Sequence, residues 1–438
     1  MESTTVPLSV QGWEKRIRMI TNCRICGNRD LQPVIHLGSQ CLSGLFDDGR
    51  PQNQLRTPIP LEVVHCDPAS SSKGCGFIQL RHSVPPDVMF HDYGYRSGLN
   101  ETMSQHLEGL AVEVESRLEL KAGDTVVDIG ANDGTLLLAY RENGLIRIGF
   151  EPSDAAEEVQ QRGLRILRTF FGSEAGAQDF QAESPHRKAK VITSIAMFYD
   201  IEDPVGFCRQ IHQILEEDGL WIVELHYWGS MLETNGFDAV CHEHLGYYSL
   251  FAINRLAEAC GFRLADVSFN SANGGSMRCA FRKASSRVIQ DPESQQRIDR
   301  AFSDEQRAAV HSPERFSRFR ANAETIRAAA REIVKQAARE GKSVYGYGAS
   351  TKGNVLLQYC GLGPGDIVAI ADRNPAKWGR QTLGTNIPIC SEEQMRHAHP
   401  DLLLILPWHF LDGFLEREKA LRDAGTRFIV PFPEVRIV

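Results

Sequence analysis

The sequence contains 438 residues, of which 42% are hydrophobic, 24% charged and 8% aromatic, so the chain can bury large cores and is not of the disordered class. Its 48 lysine and arginine residues against 56 aspartate and glutamate residues give a formal net charge of −8. That balance argues against nucleic acid or an anionic membrane as the main partner and leaves small molecules as the expected ligands.

The sequence pattern carries no signal for membrane insertion or export. No apolar run approaches the ~20 residues that span a bilayer, and the first 20 residues lack the apolar centre of a signal peptide. We therefore expect a cytoplasmic protein. At roughly 100–200 residues per domain, we expect two to four domains.

Residues 22–80 predict a small β module that depends on a metal. Short alternating runs (LQPVIHLG, IPLEVVHC and GFIQL) are separated by Gly, Pro, Ser and Asp, which is typical of short strands with little core. Five of the eleven cysteines fall in the first 80 residues, and in a reducing compartment such a cluster indicates metal binding. Cys41 and His65 remain alternatives for one ligand, because eight residues separate the second cysteine pair. The thiols that fit a structural zinc site best are Cys23, Cys26, Cys66 and Cys75.

From about residue 101, strands alternate with helices, which predicts a parallel sheet covered on both faces. An amphipathic helix over 101–118 precedes the strand TVVDIG, and further strands follow in RIGFEPS, VITSIAMF and LWIVELHY. Helices are expected over TLLLAYRENG, DAAEEVQQRG, 203–219 and FAINRLAEACG, and the unit ends with the strands RLADVSF and SMRCAF. The charged, Ala-rich stretch over 292–341 predicts one or two long helices.

The turn after the strand TVV is typical of a nucleoside site. Its sequence DIGANDG leads from a strand into a helix, where backbone N–H groups approach a ligand at the carboxyl edge of the sheet. The spacing is G-x-x-x-G rather than the G-x-G-x-x-G of dinucleotide binders, and Glu151 at the end of the next strand is placed to bind a ribose diol. The combination favours S-adenosylmethionine (SAM) over a nicotinamide cofactor or a purely structural turn. The residues assigned to the cofactor are Asp128, Gly130, Asn132, Gly134, Glu151 and Pro152.

A third cluster, CHEHLGYYS, follows the strand LWIVELHY. Loops beyond the end of a sheet strand commonly carry acid and base residues, and a His with an ordinary pKa of ~6.5 suits proton abstraction near neutral pH. The two histidines of H-E-H are only two positions apart, whereas a zinc protease needs two histidines at i and i+4. The alternative is structural, with His242 exposed and His244 a hydrogen-bonded core residue.

The last cluster, GYGASTKGN, is again a Gly-rich turn between a strand and a helix. The helix N-terminus and Lys352 suit an anion, although the spacing is not that of a P-loop. Phosphate binding and structural turn chemistry fit this segment equally well. The strands DIVAIAD, DLLLILP and RFIVPF and the helix LDGFLEREKALRDAG complete a second Rossmann-like unit.

In their order along the chain, the Cys-pair module, the core with DIGANDGTLL and FEPS, the block CHEHLGYYS and the unit that opens GYGASTKGN resemble the SAM-dependent sugar C-methyltransferase family. Its members act on nucleotide-linked 4-keto-6-deoxysugars. The resemblance covers residues 22–432. It implies an α/β fold with a small N-terminal zinc-binding β module (1–90), a central Rossmann-like (class I) SAM methyltransferase domain (91–290), and a helical connector with a C-terminal Rossmann-like domain (291–438).

The resemblance also implies where the chemistry lies. The four cysteines bind a structural zinc, SAM lies in the central domain, and the nucleotide sugar lies between the central and C-terminal domains. The family carries Glu-His at the positions of Glu243 and His244, and the His takes a proton from the carbon beside the ketone. The residues assigned to the sugar nucleotide are Tyr95, His242, Ser350, Lys352 and Asn354.

The sequence departs from the family pattern at two places. Cys241 stands where many members have Tyr, and Phe198-Tyr199-Asp200 stands where they often have His. We expect Tyr199 or Asp200 to replace that His, and Tyr247 or Tyr248 to replace that Tyr. The departures leave two alternatives open: methylation at oxygen or nitrogen of a nucleotide sugar or other metabolite, and a non-catalytic nucleotide-sugar-binding protein. The expected catalytic set is His244, Glu243, Tyr199, Asp200, Cys241 and Tyr247.

Overall fold

A computed structural model describes residues 12–48, 56–69, 74–90, 96–184 and 187–438. Tyr95, which the sequence assigned to the sugar nucleotide, lies outside these ranges. Within them, no helix combines the length and the apolar character that crossing a membrane requires.

The N-terminal part forms short strands, as its alternating sequence predicts. Along β4 the side chains of Ile59, Leu61 and Val63 are buried while Pro60 and Glu62 between them are half-exposed, which is the alternation of a sheet with one covered face. The strands β2, β4 and β5 pair antiparallel. The elements are β1 (Arg18–Met19), β2 (Gln32–Gln40), β3 (Phe46–Asp47), β4 (Ile59–His65), β5 (Ile78–Leu80), β6 (His82–Ser83) and α1 (Pro86–Met89).

The central part is a seven-stranded sheet in the order β13-β14-β11-β10-β7-β8-β9. Every residue of β7 is buried, because helices cover both faces of the sheet at its centre. Its helices are α2 (Glu101–Arg117), α3 (Thr135–Ala139), α4 (Ala155–Gln161), α5 (Glu174–Glu183), α6 (Pro204–Ile214), α7 (Trp228–Thr234) and α8 (Leu250–Ala259). Its strands are β7 (Thr125–Ile129), β8 (Ile146–Phe150), β9 (Arg165–Leu167), β10 (Ala189–Ile195), β11 (Leu215–His226), β13 (Phe262–Asn270) and β14 (Ser276–Lys283), and β12 (Gly246–Tyr247) lies outside this sheet.

Two sequence predictions for this sheet are wrong. The sheet is mixed rather than parallel, because β14 pairs antiparallel with both β11 and β13. The helix predicted over 203–219 ends at Ile214. Leu215 is buried and pairs with Ala189 of β10, so the stretch over 215–219 extends β11 instead of α6.

The C-terminal part begins with two long helices, which confirms the prediction for 292–341. Ala309 adopts φ 49 at the end of the first, and the Ser312 side chain caps the second. A six-stranded sheet follows in the order β18-β16-β15-β19-β20-β21. The helices are α9 (Pro292–Ala308), α10 (Pro313–Arg339), α11 (Thr351–Cys360), α12 (Glu392–Ala398), α13 (Leu411–Arg417) and α14 (Lys419–Asp423). The strands are β15 (Val344–Tyr347), β16 (Ile370–Asp372), β17 (Gln381–Thr382), β18 (Ile389–Ser391), β19 (Leu402–Ile405), β20 (Arg427–Val430) and β21 (Arg436–Ile437).

Strand pairing joins the N-terminal module to both other parts. β12 adds to the module's sheet beside β5, with Gly246 opposite Gln79 and Tyr247 opposite Ile78. β3 pairs with β17, with Phe46 opposite Thr382. The module therefore holds the segment that carries the CHEHLGYYS cluster, and it also contacts the C-terminal domain.

Candidate functional site

Four thiols meet at one end of the N-terminal module. The Sγ atoms of Cys23 and Cys75 lie 3.5 Å apart, as do those of Cys26 and Cys66, and all four lie within 4.8 Å of one another. The first pair sits on a knuckle turn in which the Gly27 N–H donates to the Cys23 carbonyl oxygen. Four converging thiols match the donor set and the spacing of a tetrahedral structural zinc, in which each Zn–S bond is ~2.3 Å.

The two alternative ligands lie elsewhere. Cys41 belongs to a separate core cluster with Trp13 and Leu42. The His65 ring stacks on the His311 ring, with centroids 5.2 Å apart. Cys75 is therefore the residue that completes the four-thiol cluster.

A cavity of about 1050 Å³ joins the central sheet to the C-terminal sheet. Its walls on one side come from the carboxyl ends of β7, β8, β10 and β11, which is where open α/β sheets bind ligands. On the other side the C-terminal domain supplies the segments over 347–352, 372–377 and 407–417. The loop that carries Glu243 and His244 also lines it.

The central-sheet side of the cavity contains the residues assigned to SAM. Both carboxylate oxygens of Glu151 accept backbone hydrogen bonds at 2.8 Å, one from Asn132 N–H and one from Ser153 N–H. Asp128 accepts a 2.6 Å hydrogen bond from the Thr193 hydroxyl, and burial raises the pKa of Asp128 to about 7. Asp128, Gly130, Asn132, Glu151 and Pro152 all line the cavity.

Gly134 has a structural role at this turn and does not line the cavity. It has φ +76, and a Cβ there would lie 2.7 Å from Val159 and 2.8 Å from Leu164. Glycine is needed to let the chain turn tightly into α3.

The cavity wall also carries a partly buried acid–base group formed by His244, Glu243 and Asp200. The Nδ1 of His244 lies 2.7 Å from the Ala239 carbonyl oxygen, and the Tyr199 ring packs against the imidazole at 4.4 Å. Burial, followed by the nearby Lys352 charge, lowers the pKa of His244 to about 4. Burial raises the pKa of Glu243 to about 7 and also raises the pKa of Asp200. These groups provide a neutral imidazole beside two carboxyls that share a low-dielectric wall.

The N-terminal module shapes this group as well. Gly44 lines the cavity, and a side chain there would overlap the Glu243 carboxylate. A residue of the zinc-binding module thus makes room for an acid of the loop between α7 and β12.

Besides Gly134, four described residues that the sequence assigned to the substrate or to catalysis do not line this cavity. His242 is buried elsewhere, with its Nε2 3.1 Å from the Ile59 carbonyl oxygen, so the alternative of an exposed His242 is wrong, and its assigned substrate role stays a prediction. Asn354 is buried and donates to the carbonyl oxygens of Ser43 and Leu383. The other two are Cys241 and Tyr247.

The tyrosines expected to replace the family's Tyr are also core residues. Tyr247 is buried against Trp228, with ring centroids 6.2 Å apart, and Tyr248 packs between Phe77 and Phe198. Cys241 is fully buried, although its Sγ lies within 4.8 Å of ligand atoms of Glu243 and His244. Pairing of β12 with β5 turns these tyrosines into the core.

Lys352 and Ser350 line the cavity from the C-terminal side. Ser350 caps α11 by accepting from Gly353 N–H, while the Lys352 Nζ donates at 2.6 Å to the Asn273 carbonyl oxygen. Lys352 therefore reaches across to a turn of the central domain.

The cavity wall includes polar residues that the sequence did not indicate, among them His226, Asn273 and His409. His226 is the last residue of β11, so the strand-end rule that indicated Asp128 would have indicated it too. His409 and Asn273 lie in short turns whose approach depends on how the two domains pack.

Comparison with known proteins gives three consecutive family matches. A zinc binding domain family matches residues 23–90, a methyltransferase domain family matches residues 98–267, and the C-methyltransferase C-terminal domain family matches residues 271–433. Among curated proteins, the C-methyltransferase NovU of Streptomyces niveus is 32% identical over 423 residues, which cover 96% of this chain and 98% of NovU.

Solved structures are similar over a smaller part of the chain. Magnesium protoporphyrin IX methyltransferase of Synechocystis PCC 6803, solved with bound SAM, is 12% identical and aligns with a TM-score of 0.32, covering 41% of this chain and 79% of that one. The CcbJ methyltransferase of Streptomyces caelestis is 11% identical and aligns with a TM-score of 0.33, covering 40% of this chain and 89% of that one.

Proposed function

The chain belongs to the family of SAM-dependent sugar C-methyltransferases, and from that premise we propose that its methyl acceptor is a nucleotide-activated 4-keto-deoxysugar. The observation that best supports this proposal is the single cavity that contains Glu151 at one end, the Ser350 turn at the other and His244 on its wall. A nucleoside cofactor and an anionic acceptor can be bound at the two ends, with a base available to both.

We propose His244 as the general base. Its Nδ1–H donates to the Ala239 carbonyl oxygen, so the Nε2 lone pair is the one left for a proton. Because the imidazole is neutral at physiological pH, Nε2 can take a proton from the carbon beside the ketone. SAM, when bound, supplies an electrophilic methyl group to the carbon nucleophile that results.

Glu243 supports the base in this proposal. Its carboxylate and the His244 ring have ligand atoms within 4.8 Å of each other, and an opposite charge at such a distance favours the protonated imidazole. Asp200 and Tyr199 complete the wall around the ring. Their place beside His244 suits a role in orienting the acceptor.

The acceptor is tested by incubating the purified enzyme with SAM and a panel of nucleotide-linked 4-ketosugars. We expect one substrate to gain the mass of a single methyl group, and the carbon chemical shift of that methyl to be that of a C-methyl. An O-methyl or N-methyl shift would move the reaction to the corresponding heteroatom. No conversion of any ketosugar would contradict the proposed acceptor class.

Glu151→Gln is expected to weaken SAM binding about tenfold, because a neutral amide keeps only one acceptor oxygen for the two backbone N–H groups and loses the charge that favours a ribose diol. Isothermal titration with SAM measures the change. Glu157→Gln is the matched control, since the Glu157 side chain is 62% exposed on α4 and pairs with Arg168. Equal SAM affinity in both variants would remove Glu151 from the cofactor site.

The pH dependence of kcat/KM is expected to follow the ionisation of the Glu243 carboxyl group. Its pKa of about 7 means that the carboxyl is protonated below pH 7 and charged above it, and only the charged form stabilises the imidazolium of His244. Activity should therefore rise through about pH 7 in the wild type. In Glu243→Gln the rise at pH 7 should disappear and activity should be lower at pH 8, whereas an unchanged profile would show that another group sets it.

A further inference from the structure

A second group of nitrogen-bearing side chains lines the cavity, and the steps above do not use it. Lys352 extends from α11, His226 ends β11, and His409 lies in the turn over 408–410 of the C-terminal domain. The charge of Lys352 lowers the pKa of both His226 and His409, after burial as the main cause. The same charge acts on His244, so the group lies beside the proposed base.

Lys352 is fixed at the junction of the two domains. Its Nζ donates to the Asn273 carbonyl oxygen at 2.6 Å, and this is its one hydrogen bond within the described part of the chain. An ammonium group has three N–H donors, so two remain for a ligand. Burial lowers the pKa of Lys352, and the Asp238 carboxylate, which accepts from the Trp408 indole N–H at 2.9 Å, opposes that shift.

We assign to the two histidines the tautomer opposite to that of His244. The Nδ1 atoms of His226 and His409 are buried and have no hydrogen-bond partner among the described residues. Burial keeps both rings neutral, and a neutral ring with its proton on Nε2 leaves only a lone pair at the buried Nδ1. Both rings line the cavity, so Nε2–H is the donor that a ligand can meet.

We propose that Lys352, with His226 and His409 beside it, forms the hydrogen-bond donor set for the ketone oxygen of the acceptor, rather than a diphosphate site. This inference rests on the proposed function, because it assigns residues to the oxygen of the same ketosugar. Lys352 here is a catalytic residue, Asn273 is a positioning residue that holds its ammonium group, and Asp238 supplies negative charge that favours the protonated amine.

In the proposed step, the bond between hydrogen and the carbon beside the ketone breaks, and the proton moves to Nε2 of His244. The electron pair spreads onto the ketone oxygen, which accepts hydrogen bonds from the Lys352 ammonium and from Nε2–H of a neighbouring His. The carbon then forms a bond to the methyl group as the S–CH₃ bond breaks, and the donors keep their protons. Donors aimed at developing charge in a buried site contribute most in the transition state.

The kinetic constants kcat and KM distinguish a role of Lys352 at the ketone oxygen from a role in binding the diphosphate. Lys352→Met has nearly the length of lysine and no donor, and it is expected to lower kcat about 10²–10³-fold, as loss of an oxyanion donor does, with KM changed less than about threefold. Exchange of solvent deuterium into the ketosugar without SAM should fall in parallel. His226→Leu should also lower kcat, and His226→Gln, which keeps an N–H near the Nε2 position, should restore part of it.

Thermal unfolding and SAM binding of each variant are the controls for this test. SAM affinity and thermal unfolding should match the wild type in every variant, and Lys335→Met, which removes a half-exposed pair with Asp366, should leave both kinetic constants unchanged. If Lys352→Met raises KM and leaves kcat and deuterium exchange intact, Lys352 binds the diphosphate and the inference is overturned. A wild type that methylates no ketosugar overturns the proposed function itself, and the inference fails with it.

Discussion

His244→Asn is expected to abolish methyl transfer while SAM still binds with wild-type affinity. The Asn amide keeps a donor near the position of Nδ1, which bonds to the Ala239 carbonyl oxygen at 2.7 Å, so the loop is retained. It offers no group that can accept a proton from carbon at neutral pH. Loss of a general base costs about 10²–10⁴-fold, and we expect a loss within that range.

Two measurements separate a catalytic role of His244 from a structural one. Wash-in of solvent deuterium beside the ketone, followed by NMR without SAM, should be lost in His244→Asn together with methyl transfer. His397→Asn is the control, since His397 is exposed on α12, and it should behave as the wild type. A His244→Asn enzyme with full activity would remove His244 as the base, and one that still exchanges deuterium would place its role after proton abstraction.

The clustering of the residues assigned to SAM could be predicted from sequence because it depends on local structure. Asp128 lies near the end of β7 and Gly130 follows that strand, and Glu151 follows β8, the next strand in the sheet. The strand–turn–helix pattern fixes their position within about 25 residues of chain, and only the parallel pairing of β7 and β8 is needed to bring them together. The knuckle turn with Cys23 and Cys26 could be predicted for the same reason, because the two cysteines are only three positions apart in the sequence.

The rest of the site depends on contacts between distant parts of the chain. Pairing of β12 with β5 turns Tyr247 inward, and side chains alternate along a strand, so a residue's face is set by a partner some 170 positions away. The approach of Lys352 to Asn273 likewise requires that the C-terminal domain pack on the central sheet. Sequence patterns report amphipathic faces within one element, and they do not report which domain covers that face.

Zinc removal is expected to abolish methyl transfer even though the four cysteines lie outside the catalytic cavity. The four-thiol cluster closes the turns at the ends of β4 and β5, where Cys66 N–H donates to the Phe77 carbonyl oxygen. β5 in turn pairs with β12, two residues after His244, and Leu80 N–H donates to the Leu245 carbonyl oxygen at 3.0 Å. The loop that carries the proposed base therefore continues into a strand of the zinc module's own sheet.

Cys66→Ser provides the test. Binding of a structural zinc supplies about 10–16 kcal/mol to small domains that fold around it, so we expect the variant to lose its metal, to melt at a lower temperature and to lose methyl transfer. SAM affinity should fall less, because one face of the seven-stranded sheet that carries Asp128 has a cluster of buried side chains separate from the cysteines, although the other face shares its core with Cys23, Cys66 and Cys75. Zinc content by mass spectrometry, thermal unfolding and SAM titration measure the three effects. Cys390→Ser, at a half-exposed thiol of β18 outside the cluster, should keep zinc and activity, and a metal-free Cys66→Ser enzyme with wild-type turnover would show that the module does not support the catalytic loop.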